Sequence, residues 1–327
     1  MEKIEEVKIE NYNTKTWFVS ALLGFFIGLA IIVPGVSGAT IAIIFALYSQ
    51  LIYALANIFK EFKKCFLFLL PIGIGAIIGF VIGFFAIQRL FEIMPFSIIC
   101  LFAGLMVGAF PAVCDEIKGI KPTPAKITLL IIGILIPIII SVGSIFLVGG
   151  SADTVINLTW ATVLLYIPLG LAISLTQIIP GLSATALLMA FGQFGPLLSS
   201  FHFSYIKQNP FILLLYLALI LGFILGIVLF SKALGALLRQ KRAHTFFTIV
   251  GLSAGSMLSM FINPDIYAVY LLWQDGSDTM LADLLIGLGL FILGVVGAYM
   301  LVRYERNKRK KDITDIIETA TNNNEEK

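Results

Sequence analysis

The chain has 327 residues, 59% of them hydrophobic and 13% charged, with a mean hydropathy of +1.01 and a net charge of +3. Soluble domains carry about 25% charged and 45–50% apolar residues, so a soluble globular fold is excluded and the length is better counted in membrane spans. Cys65, Cys100 and Cys114 are an odd set without CxxC spacing, which fits neither a disulfide framework nor a zinc site and reads as three apolar-phase cysteines.

Residues 1–16 form a short charged tail with four glutamates and three lysines. No small-residue cleavage site follows the first apolar run, so a cleaved signal is not expected and the tail reads as cytosolic. A hydrocarbon core of about 30 Å takes roughly 20 apolar residues per helix. Ten segments come near that length: 17–33, 39–58, 66–90, 96–113, 126–148, 160–179, 184–200, 211–236, 245–262 and 283–302. The first two are split by Pro34-Gly35, the sixth and seventh by Pro180-Gly181. If the N-terminus is inside and sides alternate, 20 of the 22 basic residues fall inside, leaving only Arg89 and Lys207 outside. That bias fixes the topology, with both termini cytosolic. The basic run from Arg303 to Lys311 suits either anionic headgroups or a plain stop-transfer anchor, and residues 312–327 read as polar and disordered.

Sliding the chain by 146 residues lays Gly24–Leu51 on Gly170–Leu197. Nine of those 28 positions are identical, and the shared P-G-x-S carries the weight. Gly104-Leu105-x-x-Gly108 and Gly251-Leu252-x-x-Gly255 echo each other at an offset of 147, and Arg89 pairs with Lys232 if a short gap is allowed. Each half holds five segments, or three crossings if the P-G-x-S pair is a re-entrant hairpin. Both counts are odd, so the halves have opposite orientation either way. The expected fold is therefore an all-α polytopic membrane protein of two inverted-topology repeats, each with a broken or re-entrant hairpin at a P-G-x-S motif. The boundaries expected are a cytosolic tail over 1–16, repeats over 17–148 and 158–302, an external linker over 149–157, and a basic then polar cytosolic tail over 303–327.

Proline favours the first turn of a helix, glycine before it permits a tight bend, and serine caps a helix start. Each motif thus reads as a break ahead of a helix that begins within the membrane, where free N–H groups and a partial positive charge receive anions. The candidate substrate-binding residues are Pro34, Gly35, Ser37, Gly38 and Thr40 in the first half. In the second they are Gln177, Pro180, Gly181, Ser183 and Thr185. A mere kink, with serine bonding back to its helix, is the bland alternative for one motif; two motifs at corresponding places favour a central site. Arg89 and Lys232 are further candidates as cations that receive an anionic headgroup at each face, against the alternative of snorkelling interface residues. Asp283 is expected to cap the last helix. No acid sits plainly mid-span, so a carboxylate proton relay is not visible. The glycines 73, 75, 79 and 83, and 222 and 226, give small faces for helix packing.

These strings resemble those of the PopT-type undecaprenyl phosphate translocases, whose motifs stand here as PGVSGAT (Pro34–Thr40) and PGLSATA (Pro180–Ala186), over about Trp17 to Arg303. Ala39 and Ala184 stand where the family has glycine. Ile31 stands where it often has Asp or Asn, and Ser49 where an acid often follows the tyrosine. A divergent member is implied, with Gln177 at the repeat-equivalent place of Ile31. The resemblance implies return of undecaprenyl phosphate, a polyprenyl-phosphate lipid carrier, from the outer to the cytosolic leaflet of the bacterial cytoplasmic membrane for cell-wall synthesis. Membrane lipids are the other expected partners, nucleic acid is not one, and protein partners are open. No catalytic residue, metal or cofactor is expected, and a coupling proton or sodium ion is left open.

An embedded phosphatase would need a nucleophile with acid–base partners, yet His202 and His244 read as lying in loops on opposite sides of the membrane. An ion-coupled transporter of a small soluble anion is the main competing reading. A scaffold for wall-synthesis enzymes is disfavoured by the small loops.

Overall fold

A computed structural model describes residues 14–32, 50–51, 53–54, 60–148, 156–178, 182–276 and 279–325. All regular structure among them is helical. The helices are α1 (Thr14–Ile32), α2 (Phe62–Ile93), α3 (Pro95–Cys114), α4 (Pro124–Val148), α5 (Trp160–Ile178) and α6 (Ala184–Ala190). They continue with α7 (Phe194–Ser200), α8 (Phe203–Gln208), α9 (Ile212–Ser259), α10 (Pro264–Gln274) and α11 (Met280–Glu325). Six stretches are long and apolar enough to cross a membrane, and α1 and α5 are shorter apolar helices. The exposed residues of these helices are themselves apolar, as Ile77 and Ile78 on α2 or Leu217, Ile220 and Leu221 on α9. A surface of that kind needs hydrocarbon around it, so the chain is a multi-pass membrane protein.

The helices divide into two units, residues 1–87 with 297–327, and residues 88–296. In the first, α1 and α2 run parallel, with Cys65, Phe68 and Ile72 buried at the seam. Glycine lets their backbones touch: a methyl group on Gly24 would fall on the Ile72 carbonyl, on Gly75 on that of Ala21, and on Gly79 on that of Phe25. In the second unit, α5 and the first part of α9 also run parallel. There a methyl on Gly170 would fall on the Leu219 carbonyl, on Gly222 on that of Ile167, and on Gly226 against Leu171 and Ser174. Apart from Ser174, every residue of this second set stands 146 or 147 positions after its counterpart in the first.

Within residues 88–296 the remaining spans show a further pairing. Gly104 meets Phe291, and Gly294 meets Leu101 and Leu105, where α3 packs on α11. Gly251 meets Leu130, and Gly133 meets Thr248 and Leu252, where α9 packs on α4. The α3 positions map onto α9 at +147, whereas the α4 positions map onto α11 at +161. The extra 14 residues fall between Leu252 and Phe291, the stretch that holds α10.

Several expectations are corrected. Segments eight and nine are two helical stretches, as expected, and they meet within α9 at Lys241, where the backbone leaves helical geometry (φ −140°, ψ 46°). No loop intervenes, so His244 lies in the second stretch and not in a loop. Segment seven is two short helices, because Gly192 takes φ +65° and stops α6. The tail expected to be disordered from 312 continues α11 to Glu325. Asp283 lies inside the first turn of α11, where it accepts a hydrogen bond from the Trp273 indole N–H at 3.1 Å and does not cap the helix. Finally, α2 and α9 are uninterrupted where Arg89 and Lys232 stand, which leaves no room for the gap that pairs them. The register of the close approaches pairs Lys232 with Phe85.

Candidate functional site

The second P-G-x-S motif separates α5 from α6. Helix α5 ends at Ile178, and Pro180 and Gly181 lie outside the described residues. Ser183 is extended (φ −117°, ψ 130°), and its Oγ accepts a hydrogen bond from the Ala186 N–H at 3.3 Å. The expected serine cap is therefore present, and Thr185 sits in the first turn of α6.

The parallel seam sets the depth of this break. Gly226 lies against Leu171 and Ser174, so Gly226 is level with a point nearly two turns before the end of α5. Six residues further along both helices, about 9 Å at 1.5 Å per residue, come Ile178 and Lys232. The backbone of position 232 is thus level with the end of α5, beside Gln177 in its last turn. By this register the backbones of Gln177 and Lys232 lie at about one level, and Ser183 and Thr185 follow the end of α5 in sequence. Pro34, Gly35, Ser37, Gly38 and Thr40 lie outside the described residues.

Arg89 belongs elsewhere. It is exposed near the end of α2, where its guanidinium donates to Glu92 at 3.0 Å. The other Glu92 oxygen lies 3.4 Å from His202 Nε2, just before α8. At the opposite end of the same unit, Arg242 pairs with Glu116 at 3.2 Å and Lys126 donates to the Lys121 carbonyl at 2.9 Å. Basic side chains near Lys121 and Arg242 thus mark one end, while Glu92, Arg89 and His202 mark the other.

The returning arm, α6 and α7, is broken at Gly192 and has backbone groups that no helix satisfies. In an apolar surrounding each must find a partner. The Ala190 carbonyl accepts from Ser144 at 2.7 Å, and the Leu198 carbonyl from the buried Gln88 amide at 2.7 Å. The Gly195 N–H donates to the Asp265 carboxyl on α10. Tyr166 on α5, 3% exposed, donates its hydroxyl to Gln193 Oε1 at 2.6 Å. Ser200 and Tyr216 are 2.8 Å apart, and Phe91 meets the Phe194 ring edge-on at 5.0 Å. Gly192 is needed twice: a side chain there would be strained at its positive φ and would meet Pro264 at 2.9 Å.

Asp265 is the residue that sequence reading missed. Its neighbours Asn263 and Pro264 look like an ordinary helix start, and Asn263 does cap α10 by accepting from the Ile266 N–H at 3.2 Å. An acid in the first turn of such a helix reads as a solvated surface residue. Only the packing of α10 under the Gly192 turn buries it.

Comparison with known proteins bears on the whole of this region. The family model described as VCA0040-like, undecaprenyl phosphate translocase-like, matches residues 27–272. A polyprenyl-phosphate transporter of Staphylococcus aureus (strain NCTC 8325 / PS 47) is 28% identical over 295 residues, covering 88% of this chain and 96% of that protein. A polyprenyl-phosphate transporter of Vibrio cholerae serotype O1 is 26% identical over 261 residues, covering 75% and 78%. No solved structure matches the chain significantly. The matched stretch runs from α1 through both motifs to α10, and by it the chain belongs to the undecaprenyl phosphate translocase-like family.

Proposed function

We propose that this chain carries a polyprenyl phosphate, such as undecaprenyl phosphate, from the outer to the cytosolic leaflet, returning the lipid carrier to cell-wall synthesis. The observation that carries the reading is the break between α5 and α6, level with Lys232 inside a seam of apolar helices. A phosphate crossing a membrane needs donors and a cation along its route. Its tail needs an open apolar flank, which the exposed leucines and isoleucines of α9 supply. Ser183, Thr185, Gln177 and Lys232 furnish hydroxyl, amide and ammonium groups at the break. Pro34, Gly35, Ser37, Gly38 and Thr40 furnish the corresponding groups in the first half, and Pro180 and Gly181 open the backbone in the second. Arg89, at the end that charge bias assigns to the outside, receives the headgroup before it reaches the break.

The two halves act as inverted repeats in this reading, and the hairpins expose the phosphate first to one side and then to the other. Recurrence of the same glycine contacts at +146 and +147 supports the repeat. Both termini are cytosolic, by the bias of the basic residues.

The test uses purified protein in liposomes containing undecaprenyl phosphate, following how fast inner-leaflet lipid becomes accessible to an external phosphate-binding probe. Acceleration over empty liposomes is expected. No acceleration by well-folded protein, together with uptake of a water-soluble anion, would transfer the assignment to a soluble-anion transporter. Cysteines placed at Lys207 and Lys118 and labelled from outside in cells test the sidedness, and only the first is expected to react.

A further inference from the structure

Asp265 is the second residue of α10, in its first turn, with its two carboxyl oxygens in different circumstances. One receives the Gly195 N–H, which the start of α7 leaves without a helical partner. That bond accounts for one oxygen, and an asparagine or serine would serve it as well. The other, Oδ2, is shielded from solvent and has no hydrogen-bond partner. The contact is tight, since a methyl on Gly195 would come within 2.5 Å of the carboxyl.

No cation faces this carboxyl among the described residues. The elements packed on α10 are α3, α4 and α6, with α7 at Gly195. Neither α6 nor α7 has a titratable side chain. Helix α3 offers only Cys100 and Cys114, and α4 only Lys126, in its first turn at the far end of the helix. On α10 itself Tyr270 donates to the Phe261 carbonyl at 3.2 Å, Tyr267 is exposed, and Asp275 stands at the helix end. Glu92, Arg89 and His202, beyond the end of α7, are engaged with one another. An ionised carboxylate with one oxygen buried and unpaired costs far more than the neutral acid in the same place.

We propose that Asp265 is a proton-binding switch of this transporter, neutral while α7 is seated on α10 and ionised when the two part and water reaches Oδ2. In balance, the carboxylate takes one proton from the water on the side where α10 lies and becomes the acid as the arm closes. It returns that proton to the same water when the arm opens, so no proton crosses the membrane. By the topology assigned above that side is external, so external acid favours closure of the second hairpin towards the outside and an imposed pH gradient acts through the external pH. The inference rests on the reading of the chain as a transporter.

The test compares the wild type with Asp265→Asn and Asp265→Glu, all as full-length protein in undecaprenyl phosphate liposomes with and without an imposed pH gradient. Asparagine still accepts from Gly195 and cannot titrate. Expected are a gradient-dependent flipping rate in the wild type and in Asp265→Glu, and loss of the gradient response in Asp265→Asn. An Asp265→Asn protein that responds to the gradient as the wild type does would reduce Asp265 to a bridge for Gly195 and overturn the proposal.

Infrared difference spectra between acid and alkaline buffer give a readout that needs no lipid transport. The wild type is expected to show a protonated-carboxyl band that titrates and is missing from Asp265→Asn. Absence of that band from the wild type overturns the proposal as well. If the band is present but no lipid moves, the proton site stands and the lipid assignment fails. Should Asp265→Asn not fold, the wild-type and Asp265→Glu spectra decide, because the longer side chain perturbs the band only if Asp265 is its source.

Discussion

Replacing Gly75 by alanine adds one carbon to α2 at a place where the Ala21 carbonyl of α1 already lies. The obstacle is backbone, so no side chain can swing away and the helices must part by about 1 Å or more. A gap of that size forfeits a quarter to a half of each dispersion contact, and on the order of 30 atom pairs at ~0.1–0.2 kcal/mol each lose about 2 kcal/mol or somewhat more. Alanine recovers about 1 kcal/mol of helix propensity over glycine, leaving a net cost of about 1–2 kcal/mol. Gly73, half a turn away on the same helix, has nothing within 4 Å of an added methyl. Its alanine variant therefore keeps the propensity gain of up to about 1 kcal/mol, and the two variants should differ by about 2–3 kcal/mol in opposite directions. Reversible unfolding of purified protein in mixed micelles, titrated with a denaturing detergent, measures both. Gly222→Ala, 147 positions on, should reproduce the loss. Equal midpoints for Gly73→Ala and Gly75→Ala would refute the close-packed seam, and a neutral Gly222→Ala would refute its recurrence in the second half.

Ser183→Ala removes the α6 cap and should lower stability by about 1 kcal/mol. Combined with Ser37→Ala, it should slow lipid flipping in liposomes while the protein still elutes as a folded species. Tyr166→Phe leaves the Gln193 amide oxygen short of a donor and should cost about 1–3 kcal/mol in the same micelle titration. Lys232→Gln should slow flipping severalfold, whereas Phe85→Leu, at the register-equivalent position, should leave the rate near wild type.

Much of the helical plan was legible because a bilayer imposes long apolar runs and sorts lysine and arginine between loops. The P-G-x-S break was equally readable: proline, glycine and serine each limit what the backbone can do locally, and Ser183 caps α6 as that chemistry requires. What failed to show were features fixed by contacts distant in sequence. The run Arg239–Arg242 was rightly read as parting two segments, since the helical geometry breaks at Lys241, but the break takes a single residue and His244 is already helical again. Gly192 carried no signal among 29 glycines, and only its positive φ and its fit beneath Pro264 make it the end of α6. Asp265 was passed over for the same reason: burial of α10 against α7 belongs to no single segment. The pairing of Arg89 with Lys232 failed because sequence comparison tolerates gaps that a continuous helix does not.

The glycine seams also limit how the protein can move. Helices whose backbones touch along about two turns cannot roll freely about their own axes, since rotation would drive a branched side chain into a carbonyl. Nor can one slide past the other by a single residue without losing every glycine from its seat. Helices α1 with α2, and α5 with the first part of α9, therefore behave as stiff double ribs. Any large displacement during a working cycle is confined to the thin, jointed pieces between ribs. In the second half these are the stretch from Leu182 to Phe203, extended at Ser183 and turned at Gly192, and the bend at Lys241. A small molecule meant to arrest the cycle would do better to wedge one of these joints than to fill the face of a rib.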